Sequence, residues 1–317
     1  MKHDRNLSRK VKNCYVIMPV FNDHRSCLIL INQIDKLTID FDFTIIVVDD
    51  ASTLIDPSYD EIRVFKSTGK VKNIEILQLE VNTGVDGAIY SGLSYAFSNA
   101  NTKDIFIIMD SDGEDSPNDI EKMLANFEDH SIIVAKRHGY SRGIIFNLWR
   151  SLFIFVMKLT TNQIVNFGNF SLFDFRVCKK LLNSKNFRLS FVGVVLSSRI
   201  NLIRVPIRRS KRLIGKSVSG RVGQIQFGFR IMSCFIDIVL IRILRLSFFF
   251  LIMNFFGTLL IAYLKYTSNT VIPGWASLVL VILASSSIQL IFTLAMLILI
   301  YIHLQRLFLI TTDGSYK

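Results

Sequence analysis

Asp110-Ser111-Asp112 follows the apolar run 105–109 (IFIIM). Two carboxylates one residue apart, on a turn leaving a strand, can share a divalent cation. Hard cations such as Mg²⁺ or Mn²⁺ prefer oxygen ligands and bridge protein carboxylates to substrate phosphates. Most such pairs are solvated turns. The strand in front and the acidic continuation Gly113-Glu114-Asp115, then Pro117, favour a metal site here.

The elements that must position this pair are short and β-branched. Residues 14–21 (CYVIMPVF) end in Asn22 and Asp23, and 43–48 (FTIIVV) end in Asp49 and Asp50. Residues 74–79 (IEILQL) precede Asn82-Thr83-Gly84. Stretches with helical character, 24–38 and 85–99, separate these runs. The alternation predicts an α/β domain of βαβ units around a mainly parallel sheet. In such sheets ligands bind beyond the carboxyl ends of the strands, where three of the four runs carry carboxylates.

Charge divides the chain. Of 25 acidic residues, 22 lie in the first 130 positions; only Asp174, Asp237 and Asp313 follow, against 24 Lys and Arg. This basic stretch runs directly into apolar segments, which favours a membrane surface and lipid phosphate over nucleic acid. Leu246–Leu264 is uncharged over 19 residues, and Ala276–Ile302 is longer. A span needs about 20 apolar residues, so 246–264 and 276–302 are expected as two transmembrane helices. Arg242 and Arg245 before the first and Arg306 after the second place both termini in the cytoplasm. Residues 223–245 read as an amphipathic juxtamembrane segment. Cys14, Cys27, Cys178 and Cys234 show no metal spacing and fit a reducing compartment. Residues 1–13 are polar and basic with no apolar stretch behind them, so no signal peptide is expected. The expected organisation is a polar tail (1–13), a catalytic domain (14–222), the juxtamembrane segment, two spans and a cytoplasmic tail (303–317).

PVFND (19–23), VVDDAST (47–53), NTGVDGAI (82–89) and MDSDGEDSP (109–117) together resemble family 2 glycosyltransferases, and most closely the dolichyl- and polyprenyl-phosphate sugar synthases. The resemblance spans about residues 14–220. It implies a GT-A fold (Rossmann-like, mainly parallel) and inverting transfer from a UDP- or GDP-sugar with Mg²⁺ or Mn²⁺. It also implies residue roles. Pro19, Asn22, Asp23 and Gly84 line the nucleotide pocket, Asp49 and Asp50 approach base and ribose, and Asp110 and Asp112 hold the metal. Glu114 stands where these synthases usually have Gln and is a further candidate ligand. Gly168, Asn169 and Ser171 lie in a segment resembling the acceptor side, with Asn169 and Ser171 departing from its usual acidic residue and Arg. The run Arg208, Arg209, Lys211, Arg212, Gly215, Lys216, Ser217 resembles the loop that closes over donor diphosphate and lipid phosphate. The same residues also read as a basic juxtamembrane patch attracted to anionic lipid, and the two readings can hold together.

Between Phe175 and Ile236 there is no Asp or Glu, but 14 Lys and Arg. A hydroxyl acceptor wants a general base, worth about 10²–10⁴-fold. A phosphate acceptor is already an anionic nucleophile at pH 7 and asks instead for cations. Arg204, Arg208, Arg209, Lys211 and Arg212, with Arg137 and Arg142, are the candidates. A polyprenyl-phosphate acceptor at the cytoplasmic membrane face is therefore expected. Transfer to a glycan hydroxyl, with Asp174 as base, is the alternative. Ser285–Ser287 and Gln289 mark a helix–helix contact, within one chain or in a homo-oligomer.

Overall fold

A computed structural model describes residues 13–54, 56–138, 144–214, 221–267 and 274–313. The chain divides between Cys234 and Phe235 into two units.

The first unit is built on β1 (Cys14–Val20), β2 (Phe43–Asp49), β3 (Val71–Gln78) and β4 (Ile105–Ile108), close to the runs read from sequence. The later half adds β5 (Ser131–His138), β6 (Phe167–Asp174) and β7 (Asn201–Arg208). Together they form one seven-stranded sheet in the order β3-β2-β1-β4-β6-β5-β7. β6 alone runs antiparallel to its neighbours, so the carboxyl ends of β1–β5 and β7 share one edge with the amino end of β6.

Central strands buried on both faces read as continuous apolar runs. β1 is buried at every position. One face, with Val16, Met18, Ile45, Val47 and Ile107, packs against α1 (His24–Asp35), α2 (Ser58–Arg63) and α4 (Asp119–Ala125). α3 (Gly84–Asn99) packs on β1 and β2 from the other side. Its close approach depends on Gly92, where a Cβ would lie 2.7 Å from both Ile17 and Val48 side chains. Pro19 sits in a central strand without harm. β4 has ended by that level, and no ladder bond on that side is lost.

The remaining helices of this unit are α5 (Ile144–Thr161), α6 (Phe175–Leu182), α7 (Phe191–Ser197) and α8 (Arg221–Ser233). The expected juxtamembrane segment 223–245 is therefore not one helix. It is cut at Cys234–Phe235, and α8 belongs to the first unit.

The second unit is a helix pair, α9 (Ile236–Thr267) and α10 (Trp275–Asp313). Among the described residues, Trp275–Ile300 is the stretch long and apolar enough to cross a membrane. The expected span 246–264 is the uncharged part of α9, which also carries Asp237, Arg242, Arg245 and Lys265. Asn254 Nδ2 donates to Ser286 Oγ at 3.1 Å, so the polar group expected at a helix contact pairs within the chain.

Candidate active site

Four loops meet at the shared strand edge. Asn22, in the left-handed region at φ 55°, follows β1, and Ala51, at φ 56°, follows β2. Asn tolerates this conformation and Ala pays for it, which marks both as turns the surrounding structure enforces. Asn22 ties the two loops together. Its N–H donates to Ser52 Oγ at 2.9 Å, and its Oδ1 accepts from the backbone N–H of Thr53 and Leu54, both at 2.9 Å. Asp49 is buried, accepts from Ser52 N at 2.9 Å, and lies 3.5 Å from His24 Nε2.

Asp50 turns toward the start of α3. Its Oδ1 accepts from Thr83 N at 2.7 Å and Thr83 Oγ1 at 2.9 Å, and its Oδ2 from Gly84 N at 2.8 Å. The carboxylate therefore shapes the 82–84 turn at the start of α3 and is 4% exposed. Beside it, Ala51, Ser52, Gln78, Leu79 and Glu80 line a cavity of about 390 Å³ at the ends of β2 and β3. Sequence reading missed Gln78 and Glu80. Gln78 lies within the run 74–79, taken only for its apolar residues, and Glu80 follows it.

The acidic turn after β4 is anchored from below and covered from above. Ser111 Oγ donates to the Pro19 carbonyl at 2.7 Å, fixing the turn to β1. Asp110 Oδ1 accepts from Asn169 Nδ2 at 3.1 Å. Asp112 Oδ1 accepts from Glu114 N at 2.9 Å, and Gly113 takes φ +84°. A Cβ on Gly113 would overlap Leu213, whose N–H donates to the Asp112 carbonyl at 3.0 Å. Ser210 N donates to the Glu114 carbonyl at 3.0 Å, so the segment after β7 is stitched along the turn.

Two guanidiniums complete that cover. Arg212 Nη2 donates to Asp23 Oδ2 at 2.6 Å and Nη1 to Asp112 Oδ2 at 3.3 Å. Asp23 is the N-cap residue of α1, yet makes no side-chain cap bond; its carboxylate faces Arg212 instead. Arg209 forms an ion pair with Glu114. Burial pushes the Arg209 guanidinium below its ordinary pKa, while Asp112 and Asp110 pull it back up. Arg208 and Lys211 are exposed on the same segment.

Several expected site residues lie elsewhere. Ser171 is fully buried between Ile108 and Val134, its Oγ bonded to the Asn169 carbonyl, which keeps it out of the cleft. Gly168 and Asn169 lie in β6 rather than on a free turn, and only Asn169 reaches Asp110. Asp174 is a correction. It pairs with Ile105, at the opposite end of β4 from Asp110. Five residues at about 3.3 Å each put the two roughly 16 Å apart. There Asp174 caps α6 through Val177 N and binds His130, so it cannot serve as base at this site. Arg204 donates to Asn166 Oδ1 at 3.2 Å. Arg142, Lys216 and Ser217 fall outside the described residues, as does the Arg137 side chain.

Asp86, within the 82–89 motif, carries no role expected from sequence. It is 4% exposed, accepts from Phe191 N at 2.8 Å and pairs with Arg230 of α8 at 3.5 Å. Burial raises its carboxyl pKa; the Phe191 amide and Arg230 oppose that, and Asp110 adds to it.

The donor set at the acidic turn fits a hard divalent ion in part. Asp110 and Asp112 offer oxygen ligands one residue apart, and substrate phosphate and water commonly fill the rest. Among the described residues no group of three His, Cys, Asp or Glu side chains converges on one point. Glu114 is turned to Arg209, so the expected third protein ligand is not in place.

Residues 15–187 match the model of "Glycosyl transferase family 2". The chain belongs to glycosyl transferase family 2. An uncharacterized protein of Methanocaldococcus jannaschii is 32% identical over 113 residues, covering 36% of this chain and 46% of that protein. The match thus spans less than half the length of that relative. Among solved structures, glucosyl-3-phosphoglycerate synthase from Mycobacterium tuberculosis, in complex with Mn²⁺, UDP and phosphoglyceric acid, superposes with a TM-score of 0.48 at 14% identity, covering 72% of this chain and 78% of that one. S. aureus TarS 1-349 gives 0.43 at 16%, covering 73% and 65%.

Proposed function

We propose that this protein transfers a sugar, with inversion, from a UDP- or GDP-sugar to a polyprenyl-phosphate lipid at the cytoplasmic face of a membrane. The observation that carries the reading is the meeting of the acidic 110–114 turn with Arg209 and Arg212. Phosphate-to-phosphate exchange at one carbon asks for such a pairing of carboxylates and guanidiniums.

In this mechanism the 22–23 and 49–54 loops, with the cavity at Gln78 and Glu80, receive the nucleoside. Asp110 and Asp112 would hold Mg²⁺ or Mn²⁺, which when bound neutralises charge growing on the leaving diphosphate. Asp49, Asn22 and Asp50 act as positioning residues, holding the loops rather than the ligand. Arg212 and Arg209 turn from carboxylates to phosphate oxygens, and Arg208 and Lys211 draw in the acceptor. The acceptor oxygen is anionic at pH 7, so no proton need be removed. This suits an acceptor side whose 175–236 segment has no carboxylate. Asp174, the base named for the hydroxyl alternative, caps α6 and binds His130, which favours the phosphate reading.

Membrane attachment is supported by the apolar 275–300 stretch. Leu246–Leu264 is the proposed second span. On α5, Leu152, Phe155 and Leu159 are 49%, 61% and 63% exposed at spacings of three and four, an apolar stripe that suits a lipid interface.

The reading is tested with membranes containing the protein, radiolabelled UDP- and GDP-sugars, Mn²⁺ or Mg²⁺, and polyprenyl phosphate supplied or omitted. Label entering the organic phase only with added lipid phosphate is expected. Label that enters equally without it, or passes only to a lipid-linked glycan, would overturn the acceptor assignment.

A further inference from the structure

Arg212 does more here than line a phosphate site. Its fork spans two carboxylates from different elements, Asp23 at the head of α1 and Asp112 on the acidic turn, at 2.6 and 3.3 Å. Its Nε also donates to the Ile214 carbonyl at 2.9 Å, which fixes the plane of the guanidinium. Arg209 meanwhile faces Glu114. Two backbone bonds, Ser210 N to Glu114 O and Leu213 N to Asp112 O, hold the segment against the turn, and Leu213 sits where Gly113 leaves room. Every one of these contacts is internal to the chain. Arg212 therefore already balances Asp112, one of the two carboxylates that would hold a divalent ion.

We propose that residues 209–213 form a latch in which Arg212 acts as a built-in counter-cation, keeping divalent metal off Asp112 until a nucleoside diphosphate arrives. A metal ion alone must displace Arg212 from Asp112 and leave it facing a like charge. A metal–diphosphate complex brings phosphate oxygens that accept the same N–H groups, so Arg212 exchanges carboxylate for phosphate and the latch opens without an orphaned guanidinium. Metal and nucleotide then bind with positive coupling, and each raises affinity for the other by the same factor. Asp23 keeps Arg212 beside the site when its contact with Asp112 is given up for phosphate. The inference rests on the nucleotide-sugar reading above but concerns binding alone, before any transfer.

The test is a Mn²⁺ titration followed by electron paramagnetic resonance on the full chain in lipid nanodiscs, without nucleotide and then with UDP or GDP. Wild type is compared with Arg212→Lys, which keeps the charge but loses the fork, and Arg212→Gln, which loses both. Without nucleotide, Mn²⁺ affinity should rise from wild type through Lys to Gln, by about tenfold or more overall, within the usual range of site coupling. The gain that nucleotide gives to Mn²⁺ binding should shrink in the same order. Amide exchange over β1 and β4 serves as the folding control, and the Lys variant reports even if the Gln variant fails it. A measurable site whose affinity is flat or falls across the series overturns the latch while leaving the metal and the transfer reaction standing. No measurable site in any variant, with or without nucleotide, overturns the latch and the metal together.

Discussion

Asp50→Asn separates a residue that shapes the site from one that touches the ligand. The side chain keeps its size but exchanges one acceptor oxygen for an NH₂ donor. With the remaining oxygen toward Thr83 N and Oγ1, at 2.7 and 2.9 Å, the new amide faces Gly84 N, a donor against a donor. Gly84 N retains a second, longer partner in Asn82 Oδ1 at 3.2 Å, which softens the loss. Leaving the part-buried Gly84 donor short of its charged acceptor costs at most about 1–3 kcal/mol. If the turn opens locally, that converts to amide exchange about 5- to 150-fold faster at Thr83 and Gly84. Hydrogen-exchange mass spectrometry on the full chain in nanodiscs reads this directly, with nucleotide titration alongside. The account expects faster exchange in the peptide covering 82–87 and a weakened nucleotide affinity that follows from it. Unchanged exchange together with lost nucleotide binding would refute the reasoning, since Asp50 would then contact the nucleotide itself.

Gly92→Val should lower the thermal midpoint of the catalytic unit, because the added carbons meet Ile17 and Val48 where a Cβ already lies at 2.7 Å. Overpacking of this kind costs about 1–3 kcal/mol, read by circular dichroism on heating. Asn22→Ala removes the acceptor for Thr53 N and Leu54 N and places Ala at φ 55°. The donor KM should rise with little change in kcat, as expected when a pocket wall loosens. Asp35 gives the pH prediction. Burial raises its pKa, but hydrogen bonds from Ser67, Val71, Thr68 and Gly69 outweigh that and hold it below the usual value. A lowered folded-state pKa means that its stabilisation is present above the unfolded value and is lost as pH falls through the folded one. The stability gap between wild type and Asp35→Asn should therefore close from about pH 5 downward, in urea melts at stepped pH.

The first half of the sheet could be read because its information is local. β1, β2 and β4 are apolar runs ended by the residues that form the site, and α1 and α3 fill the intervals between them. The second half was not legible for reasons of long range. β6 reverses direction, and nothing in 167–174 announces that, yet the reversal alone moves Asp174 from the cleft to the far end of the sheet. The partners of Arg212 lie 100 and 189 positions away, so their meeting is a property of the strand order and not of any window of sequence. Asp49 and Asp50 were rightly placed at a strand end. Which way each carboxylate turns depends on the backbone at Ala51 and on the Thr83-Gly84 turn, and composition is silent on both. The run 223–245 showed polar residues at helical spacing, but its break at Cys234–Phe235 carries no Gly or Pro to betray it.

The most direct test of the central claim is the bond that forms. Polyprenyl phosphate is incubated with the protein and a nucleotide sugar identified in the donor screen, and ³¹P NMR follows the lipid. The account predicts that the lipid phosphate monoester converts to a glycosyl phosphodiester in step with release of nucleoside diphosphate. A monoester signal that stays constant while nucleoside diphosphate accumulates in the presence of a glycan acceptor would contradict it, and would turn the search for a base to Asp86.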